Sequence, residues 1–111
     1  MKKYAKFVCV LLIMAVVMYF NGLMLLQVHE EVHNQVFRNY GVSSTVNINY
    51  LTLIGTTSPN MTEYRKYCNE SCKDLNIMNE VVGYNSIMQV LSMWFMVIII
   101  TIIIFINSKS K

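Results

Sequence analysis

The sequence predicts a mainly α membrane protein, with two transmembrane helices flanking a small extracytoplasmic α+β loop domain that carries a short strand or hairpin. Three observations predict it. Two apolar runs of spanning length sit near the ends of a 111-residue chain. Hydrophobic residues make up 55% of the chain and charged residues 14%, with a mean hydropathy of +0.44. An ordinary soluble domain carries roughly 25% charged residues, and a disordered chain needs low hydrophobicity with high net charge, so both classes are excluded. The charges are also segregated. Lys2, Lys3 and Lys6 precede the first run, Lys109 and Lys111 follow the second, and all six carboxylates lie between the two.

The first run reaches from Phe7 to Phe20 without a polar residue, pauses at Asn21-Gly22 and resumes as Leu23-Met24-Leu25-Leu26. Phe7 to Leu26 is about 30 Å as a helix, which matches the hydrocarbon thickness of a bilayer. A Lys-rich start and an apolar core also suit a cleavable signal peptide. However, Tyr19, Phe20 and Asn21 precede Gly22, and signal peptidase requires small residues there. The run therefore reads as an uncleaved signal anchor. The second run, Ile87 to Ile106, has Gln89, Ser92 and Thr101 as its polar residues and carries no charge. Trp94 lies inside it, so Tyr84 reads as the interfacial anchor. Lysines at both chain ends place both termini in the cytoplasm by the positive-inside rule. The expected organisation is a cytoplasmic N-terminus at 1–6, a transmembrane helix at 7–27, an extracytoplasmic domain at 28–86, a second transmembrane helix at 87–106 and a cytoplasmic tail at 107–111.

Within the loop, Arg38, Arg65, Lys66 and Lys73 stand against all six carboxylates, so no basic stripe exists to bind nucleic acid. A segment of about 60 residues is marginal as an independent domain unless it is stapled. Cys68 and Cys72, in Cys-Asn-Glu-Ser-Cys, offer a local disulfide in an oxidising compartment, with a ligand pair or free thiols as alternatives. Cys9, in the first span, reads as a small buried hydrophobe. The spacing of Leu26, Val32, Val36, Phe37 and Tyr40 continues the first helix outward, to a C-cap at Gly41. Val46, Ile48 and Tyr50 then alternate with Asn47 and Asn49, a period-two strand signal between Ser43 and Ile54. Residues 55–60 read as a turn or loop. Thr62 is expected to cap a short helix through Tyr67, and Ser71 or Asp74 a longer one leading into the second span. Asn60-Met61-Thr62 and Asn69-Glu70-Ser71 match the glycosylation sequon.

His29-Glu30-Glu31-Val32-His33 fits the H-E-x-x-H pattern, and the chain's two histidines are both in it. Histidines at i and i+4 share a helix face with Cβ atoms about 6 Å apart, close enough to hold one metal ion. Glu30, next to the first of them, can reach a metal-bound water and take its proton. Zinc brings the pKa of such a water to about 7, so hydroxide becomes available near neutrality. The competing reading is a polar helical turn leaving the bilayer, with these side chains simply solvated.

The motif resembles the catalytic helix of zincin metallopeptidases, in which two histidines bind zinc and the glutamate is the general base. In the gluzincin branch a third ligand, a glutamate, comes from a later helix, often within an Asn-Glu pair. Asn79-Glu80-Val81-Val82-Gly83-Tyr84 offers such a pair. The resemblance implies His29, His33 and Glu80 as metal ligands for Zn2+ and Glu30 as base. It covers about a dozen residues. The strand that zincins place before the helix is replaced here by an apolar span. Glu80 stands about 10 Å of helix before the second span and His33 a similar distance beyond the first, so antiparallel spans would bring them to one height. The Glu80 carboxylate is then expected within about 6 Å of both imidazoles. Asp74, Glu63 and Cys72 are the reserve ligands, Asn79 a candidate to orient a ligand, and Tyr84 or Tyr64 a candidate donor to a tetrahedral oxyanion.

The expected function is a membrane-anchored zinc metallopeptidase that hydrolyses peptide bonds near the outer membrane face. Its expected partners are the lipid bilayer and a membrane or exported protein substrate, with a homo-oligomer or partner subunit as a further contact. The alternative is a non-enzymatic two-span accessory, envelope or lysis protein of phage or viral type, whose loop binds a partner.

Overall fold

Helix α1 runs unbroken over Lys2–Asn39, a stretch of Leu, Met, Val and Ile with no proline to interrupt its hydrogen-bond ladder. The computed structural model describes residues 2–108; Lys109 and Lys111, which enter the topology reading, lie outside the described residues. At its far end α1 closes in a Schellman motif. Gly41 N–H donates to Arg38 O at 3.0 Å and Val42 N–H to Phe37 O at 2.9 Å, with Gly41 at φ +76°. The apolar contact that accompanies such a cap is present, because Phe37 and Val42 share a small core with Cys68 and Cys72, bordered by Val36, Tyr40 and Tyr64.

From this cap the chain doubles back along α1. Strand β1 (Ser44–Asn49) pairs antiparallel with β2 (Ile54–Pro59), from Ser44 opposite Pro59 to Asn49 opposite Ile54. Ser44 Oγ donates to Asn34 Oδ1 at 2.7 Å near the top of the hairpin, and Tyr19 Oη donates to Tyr50 O at 2.7 Å at its tip. Six strand residues advance about 20 Å and the helical stretch between Tyr19 and Asn34 about 22 Å, so the hairpin lies alongside α1 over its length. Residues 55–60 are thus chiefly strand, where a turn or loop was expected. Burial in β2 alternates, with Gly55, Thr57 and Pro59 on the inner side. Those small residues let the strand approach the helix, and they hide the apolar alternation by which a strand is recognised.

Short helix α2 (Met61–Tyr67) is capped by Asn60, whose side chain accepts from the Thr62 and Glu63 amides. Helix α3 (Glu70–Asn107) is capped by Asn69, which accepts from Cys72 N–H at 3.0 Å. Thr62, Ser71 and Asp74 are therefore not the caps. In each case an asparagine just upstream holds extended backbone angles and reaches the first-turn amides first. Cys68 and Cys72 form a disulfide that ties the end of α2 to the first turn of α3.

Helix α3 returns antiparallel to α1. Phe7 stacks on Phe105 with ring centroids 4.0 Å apart, Lys3 Nζ donates to Ser108 O, and at the opposite end Tyr40 Oη donates to Ser71 Oγ at 3.0 Å. The result is a mostly helical rod of about 69 × 21 × 15 Å with a two-stranded hairpin on its flank. Both long helices are apolar and long enough to cross a membrane, and only 0% and 6% of their most apolar windows are buried. A core helix of a soluble domain would be covered by its own chain.

Two outcomes test this frame. Gly41→Val should destabilise the chain by about 1–2 kcal/mol, the cost of a left-handed non-glycine residue. A Cβ there meets no atom within 4 Å, so no steric term adds to it; thermal unfolding in detergent measures the loss. The Ser43 hydroxyl at 2.5 Å and the Ser43 amide at 2.7 Å both donate to Glu63 Oε2 and hold its carboxyl below the ordinary carboxylate range. A lowered folded-state pKa contributes stability above the unfolded value and loses it as pH falls through the folded one. The protection factor of the Ser43 amide, its exchange relative to the intrinsic rate at each pH, should therefore fall on acidification, and Glu63→Gln should remove that pH dependence.

Candidate metal centre

Above the apolar half of α1 the helix carries His29 and His33 one turn apart, their rings edge to face with centroids 4.8 Å apart. Both face α3, which presents Asn76, Asn79, Glu80 and Gly83 at helical spacing. His33 Nε2 lies 2.9 Å from Glu80 Oε1, and His29 Nε2 lies 3.6 Å from Glu80 Oε2. One ligand atom from each of the three falls within 4.8 Å of the others. Donors around a tetrahedral zinc stand roughly 3.4 Å apart, given metal–ligand distances near 2.0–2.1 Å. The two His–Glu separations bracket that value.

The surroundings orient the His33 ring. Asn76 Nδ2 donates to Cys72 O at 2.9 Å, which fixes the amide and leaves Asn76 Oδ1 to accept from His33 Nδ1 at 2.7 Å. With its proton on Nδ1, a neutral His33 aims the Nε2 lone pair at a carboxylate oxygen. A proton between the two atoms, carried by either partner, or a cation shared with Glu80 would each bridge the 2.9 Å contact. Asn79 Nδ2 donates to His29 O at 3.1 Å and ties the two helices at the same level.

Gly83 permits the close approach. A Cβ at that position would lie 2.3 Å from His29 Nδ1, a nitrogen that is itself buried without a hydrogen-bond partner. The His29 and His33 side chains are 16% and 9% exposed, whereas that of Glu80 is 67% exposed, so the group opens to one side only.

Glu30 faces a different neighbour. It is buried, and its Oε2 accepts from Thr57 Oγ1 of β2 at 2.6 Å, while the same hydroxyl lies 3.1 Å from Glu30 O. Gly55 leaves room for it, since a Cβ there would sit 2.6 Å from Glu30 Cγ. Tyr84 is largely exposed and makes no hydrogen bond to His29, His33 or Glu80. Of the reserve ligands, Cys72 is in the disulfide, Glu63 is bonded to Ser43 and Asp74 is outside the group. The structure thus brings His29, His33 and Glu80 together, turns Glu30 toward the hairpin and leaves Tyr84 apart.

Asn76, Gly83, Gly55 and Thr57 escape the sequence reading as parts of the site. One signal was available: Asn76, Asn79-Glu80 and Gly83 recur at three- and four-residue steps, a polar and small stripe on an otherwise apolar helix. No protein-family model, curated protein or solved structure matches the chain.

Gly83→Ala should force α3 away from His29 or rotate its imidazole. The expected result is a loss of about 1–3 kcal/mol in stability, the usual cost of overpacking, with weakened metal uptake. Gly22→Ala is the control, because its Cβ would make only a 3.4 Å contact with the flexible end of Leu53. Equal thermal stability of the two variants would count against the close approach.

Proposed function

We propose that this chain is a two-span membrane protein with both termini cytoplasmic and residues 28–86 outside, and that it is a zinc-dependent peptidase acting near the outer membrane face. His29, His33 and Glu80 are the ligands in this reading and Glu30 is the general base. One observation carries it: two imidazoles from α1 and a carboxylate from α3 converge within 4.8 Å, on the open side of the helix pair. Zinc held there would supply a Lewis acid that polarises a peptide carbonyl and acidifies water. Asn76 holds the His33 tautomer, and Asn79 holds the height of α3 against α1. Thr57 and Gly55 hold both oxygens of Glu30 against the hairpin, so its role as base requires the side chain to turn from β2 toward the three ligands. The exposed flank of Glu80 is where a peptide from a membrane or exported protein would lie.

A second reading has its own support. The cavity against His29 is about 140 Å3 and lined chiefly by Leu25, Val28, Val32, Val82 and Ile87, well below the 300–1,000 Å3 of ordinary small-molecule sites. Glu30 is already engaged by Thr57. In that reading the ion clamps α1 to α3 in a non-enzymatic protein, and the loop binds a partner.

Metal analysis of the detergent-purified chain should find zinc in the parent protein and its loss in His29→Ala, His33→Ala and Glu80→Ala. Equal zinc in all four would remove both readings. Glu30→Gln then separates them. The peptidase retains zinc and loses hydrolysis of a vesicle-bound peptide, whereas the clamp retains zinc and has no hydrolysis to lose.

A further inference from the structure

The hairpin has an unusual composition for a surface element. From Asn39 to Thr62 the chain contains no Asp, Glu, Lys, Arg or His. Exposed two-stranded sheets normally guard their open edges with charge, lysine above all. At the tip the apolar side chains point outward: Leu51 is 94% exposed, Ile54 60% and Tyr50 54%.

Its height along α1 matters as much. Tyr19 Oη donates to Tyr50 O, and Leu53 reaches Gly22. Tyr19 and Gly22 belong to the apolar run that ends at Leu26, so the tip descends about 6–10 Å of helix rise below the top of that run. Met18 shares a cavity with Leu91, Ser92, Phe95 and Ile98, which puts Trp94 near the level of Tyr19, Phe20 and Tyr50. Four aromatic side chains thus gather at one level in the outer part of the apolar run.

Part of the turn's backbone is paired within the molecule. Asn49 Oδ1 accepts from Leu51 N–H at 3.0 Å and from Thr52 N–H at 3.1 Å, while Tyr50 O accepts from the Tyr19 hydroxyl. In water such groups have solvent partners at no cost, whereas in lipid they must be paired internally.

We propose that the hairpin tip, residues 49–54, is a lipid wedge that enters the outer leaflet of the bilayer crossed by α1 and α3, with Tyr50, Leu51 and Ile54 among the acyl chains just below the headgroups. This rests on the two-span reading, and the occupant is phospholipid.

The test uses the full chain in a Cys9→Ala background, where Cys68 and Cys72 stay in their disulfide. Single cysteines replace Leu51, Ile54, Met96 and Thr62 in separate variants. Each is labelled with an environment-sensitive fluorophore and reconstituted into phosphatidylcholine vesicles that carry doxyl-labelled lipid or are exposed to aqueous iodide. Labels at Leu51 and Ile54 should show blue-shifted emission and strongest quenching by doxyl groups near the headgroup end of the acyl chain. Met96 should be quenched best by deep doxyl groups, and Thr62 only by iodide. Iodide quenching of the Leu51 and Ile54 labels, with Met96 still in lipid, overturns the wedge and leaves the two-span reading intact. Shielding of both tip labels from lipid and iodide alike overturns it in favour of a protein partner or second copy. Iodide quenching at Met96 overturns the two-span reading itself.

Discussion

At Gly83 the absence of a Cβ lets α3 come into contact with the His29 imidazole, and Asn76, Asn79 and Glu80 meet their partners on α1 at that approach. The two helices touch again at Phe7 and Phe105 and at Tyr40 and Ser71, so their register is held at both ends and in the middle. With the register held, Asn76 reaches His33, Asn79 reaches the His29 carbonyl and Glu80 lies between the two imidazoles. A larger residue at 83 would shift α3 outward and open all three contacts together. The disulfide and the small core of Phe37, Val42, Cys68 and Cys72 serve the same end, because they anchor the first turn of α3 over the last turn of α1.

The two long helices were legible because their signals are local and additive. A run such as Phe95–Ile106 has one comfortable environment, and Gly41 after Asn39-Tyr40 is a helix stop whose physics lies within six residues. Glu80 could be paired with His29 and His33 because helix rise converts sequence distance into height, and antiparallel packing does the rest. What remained hidden was pairwise. Gly83 has no meaning until His29 is opposite it. Asn76 looks like any helical asparagine until Cys72 O takes its amide protons and His33 takes its oxygen.

Strand β2 illustrates the same limit from the other side. Gly55 and Pro59 are poor strand formers, and no apolar alternation marks them or Thr57. They form a strand because β1 supplies the ladder and α1 supplies a surface that only small side chains can approach. The misplaced helix caps have a related cause. Asparagine and threonine stand close together at 60–62, and which of them caps depends on which one holds extended backbone angles as the chain leaves the hairpin.

Charge is distributed unevenly around the inter-helix group. Glu30 and His33 are both buried, Glu30 against Gly55 and Thr57 of the uncharged hairpin and His33 against Asn76 and Glu80 of α3. Glu30 receives one side-chain donor, from Thr57, and Glu80 receives the two imidazoles. A divalent ion at the meeting point of His29, His33 and Glu80 would bridge the 2.9 Å His33–Glu80 contact, whereas Glu30, held by Thr57, stands outside that group. The hairpin is also more than a flank to the helices. Strand β2 grips Glu30 at Thr57 and Gly55, while the turn that precedes it meets Tyr19 through Tyr50 O and Gly22 through Leu53, so one hairpin sets both the orientation of the buried carboxylate and the level of the tip.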